Sequence, residues 1–213
     1  MSHLAAFIRR WRLSFGKLNL STMRKLIMKM SITIDGFVAD LNGKADWIFR
    51  SSDETSRAWS LERSYDAGLI IMGRKSFESM SSYWPTAAGP FAVPMNKIPK
   101  GVFTRGGYKE INIQPESAAA ASWAEAKIFN GDLAKEIKEL KSQEGKSILA
   151  LGGAGFMRSL IATGLIDEYH LNTHPVVLGT GLPIFNGVEH PMDLKLVETK
   201  SFPGGIVAHV YSK

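Results

Sequence analysis

The chain has 213 residues, 45% apolar and 22% charged, with a formal net charge of +6, the composition of one globular domain large enough for a sizeable core. It has no cysteine, which excludes disulfides, thiolate catalysis and a cysteine-ligated zinc, and no apolar run approaches the roughly 20 residues that cross a bilayer. Arg9, Arg10, Arg12 and Lys17 stand in the first 22 residues with no acidic residue among them, so six charges less these four leave +2 for Met23 to Lys213, too few to argue for a nucleic acid.

Residues 1–22 place Leu4, Phe7, Ile8, Trp11 and Phe15 at helical spacing among those cations. The segment reads either as a surface-seeking or transit-like helix or as an over-long reading frame whose natural start is Met23. The second is favoured, because amphipathic patterns in short basic segments are common by chance. A single domain is expected over 23–213. Leu26 to Ile34 reads as a strand, followed by an Asp35-Gly36 turn and a loop through Asn42-Gly43 to Trp47. Ser52-Asp53-Glu54 supplies a helix start, and the helix runs towards Gly68. Strand Leu69–Met72 leads into helix Arg74–Ser82, then a loop with Pro85, Pro90 and Pro94. Gly101–Thr104 is a strand, Gly106 to Ser122 has no clear period, and Glu125–Asn130 is a short strand. Asp132–Gln143 is an amphipathic helix with Leu133, Ile137 and Leu140 on one face. Lys146–Leu151 and Glu168–Val177 are strands, and Leu194–Ser201 with Ile206–Tyr211 form a closing hairpin. Strands that alternate with helices and end in an antiparallel pair predict a three-layer α/β/α sandwich, its central sheet mainly parallel with an antiparallel C-terminal hairpin.

Three strand ends carry chemistry. Leu69-Ile70-Ile71-Met72 stops at Gly73, and Arg74-Lys75-Ser76-Phe77 follows where a helix must begin. Cations in a first helical turn oppose the helix dipole, so the arrangement becomes favourable when an anion arrives at the free N–H groups. After Lys146–Leu151 comes Gly152-Gly153-Ala154-Gly155-Phe156, a turn whose glycines let a ligand approach the backbone. Its spacing is not that of the dinucleotide fingerprint, and no acidic residue sits about twenty positions on. A plain packing turn would also use glycines. The third end is Thr104-Arg105. Open α/β sheets bind ligands at the carboxyl ends of their strands, so Gly73, Arg74, Lys75, Ser76, Thr104, Arg105, Gly152, Gly153, Ala154, Gly155 and Phe156 outline a site for a phosphate-rich dinucleotide. The surplus of cations favours NADPH over NADH, since a 2′-phosphate needs guanidinium or ammonium partners. Phe77, Met80, Tyr83 and Trp84 read as core. Ser76 reads as a phosphate ligand or as a closure of its own helical turn. His170 and His174 share one face of a strand, which reads as packing or as exposed polar residues, and no metal site is expected.

Gly73-Arg74-Lys75-Ser76-Phe77-Glu78-Ser79 resembles the Gly-Arg-Lys-Thr-Trp-Glu-Ser run of dihydrofolate reductases. Lys25 to Ala39, with Ser31 and Asp35-Gly36, is similar to the first strand and turn of their relatives, the reductase domain of the bifunctional riboflavin-biosynthesis deaminase–reductase and its stand-alone homologues. Gly164-Leu165-Ile166-Asp167-Glu168 and Pro175-Val176-Val177-Leu178-Gly179-Thr180-Gly181 match a later signature of that family, and the similarity spans Met23 to Lys213. The zinc deaminase half cannot be present, because its metal ligands include cysteines. The resemblance implies a cytoplasmic NADPH-dependent reductase of a pterin-like or aminopyrimidine small molecule. Dihydrofolate reduction proper and a non-catalytic, NADP-binding or oligomer-forming module of the same fold are the alternatives. Ala45-Asp46-Trp47 stands in place of the Leu-Pro-Trp of dihydrofolate reductases, which weakens the first of these. By the same resemblance Trp47 and Asp35 border the substrate, and Asp53 is the substrate carboxylate, with helix capping as its competing duty. Asp53 and Asp35 are thus the candidate proton handlers. Arg50, Arg57 and Arg63 are candidates for a phosphorylated substrate chain. The family also implies a cis peptide at Gly152–Gly153 and a homodimer using Val176, Val177, Ile206 and Val207.

Overall fold

The computed structural model describes residues 23–106, 111, 113 and 117–213; the basic extension of residues 1–22 lies outside them. β1 (Leu26–Thr33) is a central strand of an eight-stranded sheet. Its companions are β3 (Ala67–Gly73), β4 (Lys100–Phe103), β5 (Lys127–Phe129), β6 (Ser147–Ala150), β7 (Glu168–His174), β9 (Lys195–Ser201) and β10 (Val207–Ser212). The order is β5-β4-β3-β6-β1-β7-β10-β9, parallel from β5 to β7, with β10 antiparallel to β7 and β9 antiparallel to β10. The expected mainly parallel sheet with an antiparallel hairpin is therefore the observed one.

Helices cover both faces, which is why the central strands are continuously apolar rather than alternating. On β3, Ile70 and Met72 pack with Phe77 and Trp123 on one side, while Leu69 and Ile71 pack with Ile137, Met157 and Leu160 on the other. The first layer holds α2 (Glu54–Tyr65), α3 (Arg74–Tyr83), α4 (Ala92–Lys97) and α5 (Ala118–Ala124). The second holds α6 (Leu133–Ser142) and α7 (Ala154–Ala162). A smaller cluster of Trp59, Phe202, Ile206, Ala208 and Val210 seats α2 on the C-terminal hairpin.

Several elements depart from the sequence expectation. Trp47–Ser51 is a short helix, α1, rather than the end of a loop, and the proline-rich loop contains α4. Pro94 is tolerated there because it falls in the first turn, where its missing N–H has no intrahelical partner. The alanine run forms α5, with Ser117 accepting from the Ala120 N–H and Trp123 buried completely. Phe37–Ala39 and Leu182–Pro183 pair as a small separate sheet, β2 and β8. Phe77 is core as expected, whereas Tyr83 is exposed. Ile206 is 2% exposed and belongs to the core, so it offers no subunit surface.

Lys100 is buried beneath α5, where its ammonium reaches the Ile98 carbonyl, the Ser122 hydroxyl at 2.9 Å and the Trp123 ring at 4.4 Å. Burial pushes its pKa down to about 7 from 10.5. Between these values the unfolded chain holds the extra proton, so stability rises with pH across that window. Burial, with Arg63 nearby, lowers Lys29 to about 7 as well. Lys100→Met should remove about half of the rise in stability between pH 7 and pH 9, as read by urea denaturation at the two pH values. An unchanged rise would show that Lys100 is ionised as freely in the folded protein as in the unfolded chain.

Candidate active site

The turns after β3 and β6 meet at the carboxyl edge of the sheet. These strands are hydrogen-bonded neighbours, so their ends arrive side by side. The Gly153 N–H donates to Ser76 Oγ at 2.7 Å. Gly152 has φ +111°, and a Cβ on it would stand 2.7 Å from Ser76 Cβ and Oγ. At Gly73 a Cβ would stand 2.9 Å from Phe156 Cβ. Glycine is thus demanded at 73 and 152 by close approach, and at 152 by backbone conformation too. Ser76 ties two turns together, a role that neither sequence reading anticipated, and its hydroxyl proton remains able to donate. No peptide bond is cis among the described residues, which corrects the expectation for Gly152–Gly153. The positive φ of Gly152 and the Ser76 bond turn the chain there instead.

This junction puts two helix N-termini at one edge. Gly73 caps α3 and Gly153 caps α7 without a side-chain bond, and neither helix has an acidic residue in its first turn. Their N–H groups and positive dipole ends could therefore accommodate an anion. Arg74 lies 3.6 Å from Glu78 across one turn of α3, and Lys75 is exposed. From the end of β4, Arg105 donates to Ser159 of α7 at 3.1 Å, which brings the third strand end to the same helix. Thr104 donates to the Gly106 carbonyl at 3.3 Å. Phe156 stacks on Phe103 with ring centroids 5.4 Å apart, so its ring packs between strand ends. A Cβ on Gly155 would meet nothing within 4 Å. The cradle is open where a pyrophosphate would approach, and these residues fit NADPH.

The acidic candidates are placed differently. Asp53 caps α2: Oδ1 accepts from the Ser56 N–H at 2.8 Å and the Thr55 hydroxyl at 2.6 Å. Its Oδ2 accepts from the Gly204 N–H at 2.7 Å, in the turn between β9 and β10. These bonds, the Thr55 hydroxyl first, lower its pKa to about 2. Asp35 Oδ1 accepts from the Thr33 hydroxyl at 2.5 Å, and Oδ2 from the Leu178 and Gly179 N–H groups at 3.0 and 2.7 Å. The Thr33 bond, then the backbone donors, hold this carboxylate below its ordinary pKa. Both groups are engaged anions that clip loops to strands, a geometry unlike that of the expected proton handlers, which need a pKa near working pH.

Trp47 is 4% exposed and lies edge-on to His174 with centroids 5.1 Å apart. It walls an open cleft of about 410 Å³ with Asp40, Lys44, Asp46, Arg50 and Leu178. Of the three arginines proposed for a phosphorylated chain, only Arg50 lines this cleft. Arg57 donates to the Ser52 carbonyl, while Arg63 pairs with Glu198 and covers the Trp59 ring. Another cavity, about 360 Å³, lies before β4, at the end of that strand opposite Arg105, with Asn96, Pro99 and Ser122 in its wall. Ser159 and Lys29 escaped sequence reasoning, and the hydroxyl partners of His174 did too, because each gains its place through contacts between distant strands and helices. Among the described residues no His, Asp and Glu cluster could hold a metal.

The RibD C-terminal domain family matches residues 24–208. The uncharacterized protein YyaP of Bacillus subtilis (strain 168) is 32% identical over 188 residues, covering 88% of this chain and 94% of YyaP. A pyrimidine reductase-like protein from Corynebacterium diphtheriae shares the fold with a TM-score of 0.64 at 15% identity, covering 94% of this chain and 97% of that one. The diaminohydroxyphosphoribosylaminopyrimidine deaminase/5-amino-6-(5-phosphoribosylamino)uracil reductase of Thermotoga maritima aligns with a TM-score of 0.62 at 17% identity, over 89% of this chain and 56% of that protein.

The two glycines make opposite predictions. Gly152→Ala forces a side chain into a positive φ and against Ser76, and should cost about 1–3 kcal/mol of stability. Gly155→Ala enters open space in a helix and should hold or raise stability by up to about 1 kcal/mol. Chemical denaturation of both variants decides; equal effects would mean that the two turns are not locked together.

Proposed function

Because this chain belongs to the RibD C-terminal domain family, we propose that its crevice binds NADPH and reduces a pterin-like or aminopyrimidine small molecule. The activity proposed is similar to that of 5-amino-6-(5-phosphoribosylamino)uracil reductases. One observation carries the reading: two helix N-termini, uncapped by side chains and free of acidic residues in their first turns, are locked edge to edge beside Arg74, Lys75 and Arg105.

When bound, NADPH supplies a hydride, and the protein's part is to orient the partners and furnish a proton. The α7 N-terminus, Gly153 to Gly155, would take the pyrophosphate. Arg74, Lys75, Thr104 and Arg105 would take the 2′-phosphate, and guanidinium forks give that contact its strength. Trp47, Asp46 and Arg50 would face the substrate, with Asp46 suited to an exocyclic amine and Arg50 to an anionic chain. Asp35 and Asp53 serve this site by position: one holds the 178–179 loop to the end of β1, the other holds the hairpin turn to α2. The proton is proposed to come from elsewhere on the walls.

A homodimer in the cytoplasm completes the proposal. β9 is the sheet edge, with Leu196 and Val197 half exposed, and Val177 is exposed near the cleft. Such an edge invites symmetric pairing. Light scattering at micromolar concentration should give two chains per particle, and a single chain would remove the dimer.

Cofactor choice gives the functional test. Losing one charge-assisted contact costs on the order of 1.5–3 kcal/mol, so Arg74→Ala with Arg105→Ala should weaken NADPH far more than NADH. Fluorescence titration of both cofactors measures this, and equal losses would sink the 2′-phosphate assignment. NADPH consumption against a panel of pterins and aminopyrimidines then separates a reductase from a module that only binds.

A further inference from the structure

Alternate residues of β7 point to one face of the sheet, and on the α2 side they are Glu168, His170, Asn172 and His174. In the parallel register His170 stands beside Lys29, and Asn172 beside Ser31. At the far end Glu168 pairs with Lys25 at 2.6 Å and with His170 Nε2 at 3.1 Å. At the crevice end His174 Nδ1 is bonded to Ser51 Oγ at 2.7 Å, and its Nε2 to Ser31 Oγ at 3.1 Å. Both histidines are buried, at 6% and 1% exposure. Burial pushes His174 down to about 4 and lowers His170, where Arg63 and Lys29 add to the effect against the pull of Glu168. Both rings are therefore neutral near pH 7.

Between these ends the bonding is incomplete. His170 Nδ1, Asn172 Oδ1 and Trp47 Nε1 are buried without a hydrogen-bond partner among the described residues. Orphaned buried polar atoms are rare in folded proteins, and ordered water is their usual partner. Lys29, Ser31 and Asn172, which lie within strands on this face, are part-buried.

We propose that this row is a hydrated proton path, running from Glu168 and His170 past Asn172 to His174, which hands protons to the crevice. The inference rests on the reductase reading, since hydride addition to a substrate leaves one proton to be delivered. A proton passed from Ser31 Oγ to His174 Nε2 releases the one on Nδ1 to Ser51 Oγ, which surrenders its own to the acceptor. Each hydroxyl loses one proton and gains one, no electrons move, and rotation of the ring and hydroxyls resets the relay. Lys29 borders the path and holds the Ser60 carbonyl and Ser64 hydroxyl of α2. His174 acts through Ser51, so it is a positioning and relay residue.

The exchange measurement needs neither cofactor nor substrate. In ¹⁵N-labelled protein, the His174 ring proton should exchange with water far faster than the amides of β1, despite its burial. Asn172→Leu, which replaces the polar waypoint with an apolar side chain, should slow that exchange about tenfold or more while the fold is kept. His170→Phe serves the same purpose if Asn172→Leu does not fold. A wild-type ring proton as protected as the Met28 amide would overturn the path and leave His174 as a pin for α1. Exchange undiminished by either block would overturn it too, because protons would then enter from the crevice mouth. NADPH titration of the wild-type sample keeps the premises apart: absent binding would remove the reductase reading, while slow wild-type exchange with intact binding would remove only the path.

Discussion

The site depends on the contact between two turns. β3 and β6 are adjacent parallel strands, so their carboxyl ends must leave the sheet side by side, and each must start a helix at once. That is possible only if one turn yields its side-chain volume to the other. Gly152 yields to Ser76, and Gly73 yields to Phe156. In return the Gly153 N–H gains an acceptor, and the helix starts of α3 and α7 are set in fixed relation. The proposed anion site would draw its affinity from backbone placement, with the cations reinforcing it.

The opposite half of the crevice is held by carboxylates. Asp35 and Asp53 each span from one element to a distant backbone, a separation of more than a hundred residues in sequence. An ionised carboxylate that accepts from two or more donors is strongly committed to its charged form. These residues therefore fix the loops that border Trp47 and His174. The two halves differ in physics: backbone dipoles and glycine contacts around Gly73 and Gly152, side-chain clips around Asp35 and Asp53.

Sequence reasoning could reach the first half and not the second for the same cause. Continuous apolar runs such as Leu69–Met72, ending at glycine with cations following, announce a buried parallel strand and its turn through local pattern alone. The duty of Asp53 splits into a local part, the α2 cap, which was legible, and a remote part, the Gly204 bond, which was not. Trp47–Ser51 is too short to show a helical period, and its helix exists because Trp47 and Ser51 both bond or pack onto His174. Ile206 looked like edge surface because a period of two names a face without saying what covers it; α2 covers it through Trp59. The cis peptide came from resemblance, and this chain turns with a positive φ at Gly152 instead.

The polar row under α2 follows from the same division. A sheet covered on both faces normally carries apolar side chains to both layers, and β3 and β6 obey this. β7 obeys it on one face only: Tyr169 and Leu171 enter the core, while Glu168, His170, Asn172 and His174 face α2. That helix answers with Ser60 and Ser64 towards Lys29, and with Arg63 paired to Glu198. Apolar residues at these positions would pack without the desolvation cost that buried polar groups carry. The cost is concentrated on the strand whose end, at His174, lies against the cleft wall formed by Trp47. Burying a line of titratable and hydroxyl groups, with His170 Nδ1 and Asn172 Oδ1 left without a partner among the described residues, is the cost that the proposed proton path would account for.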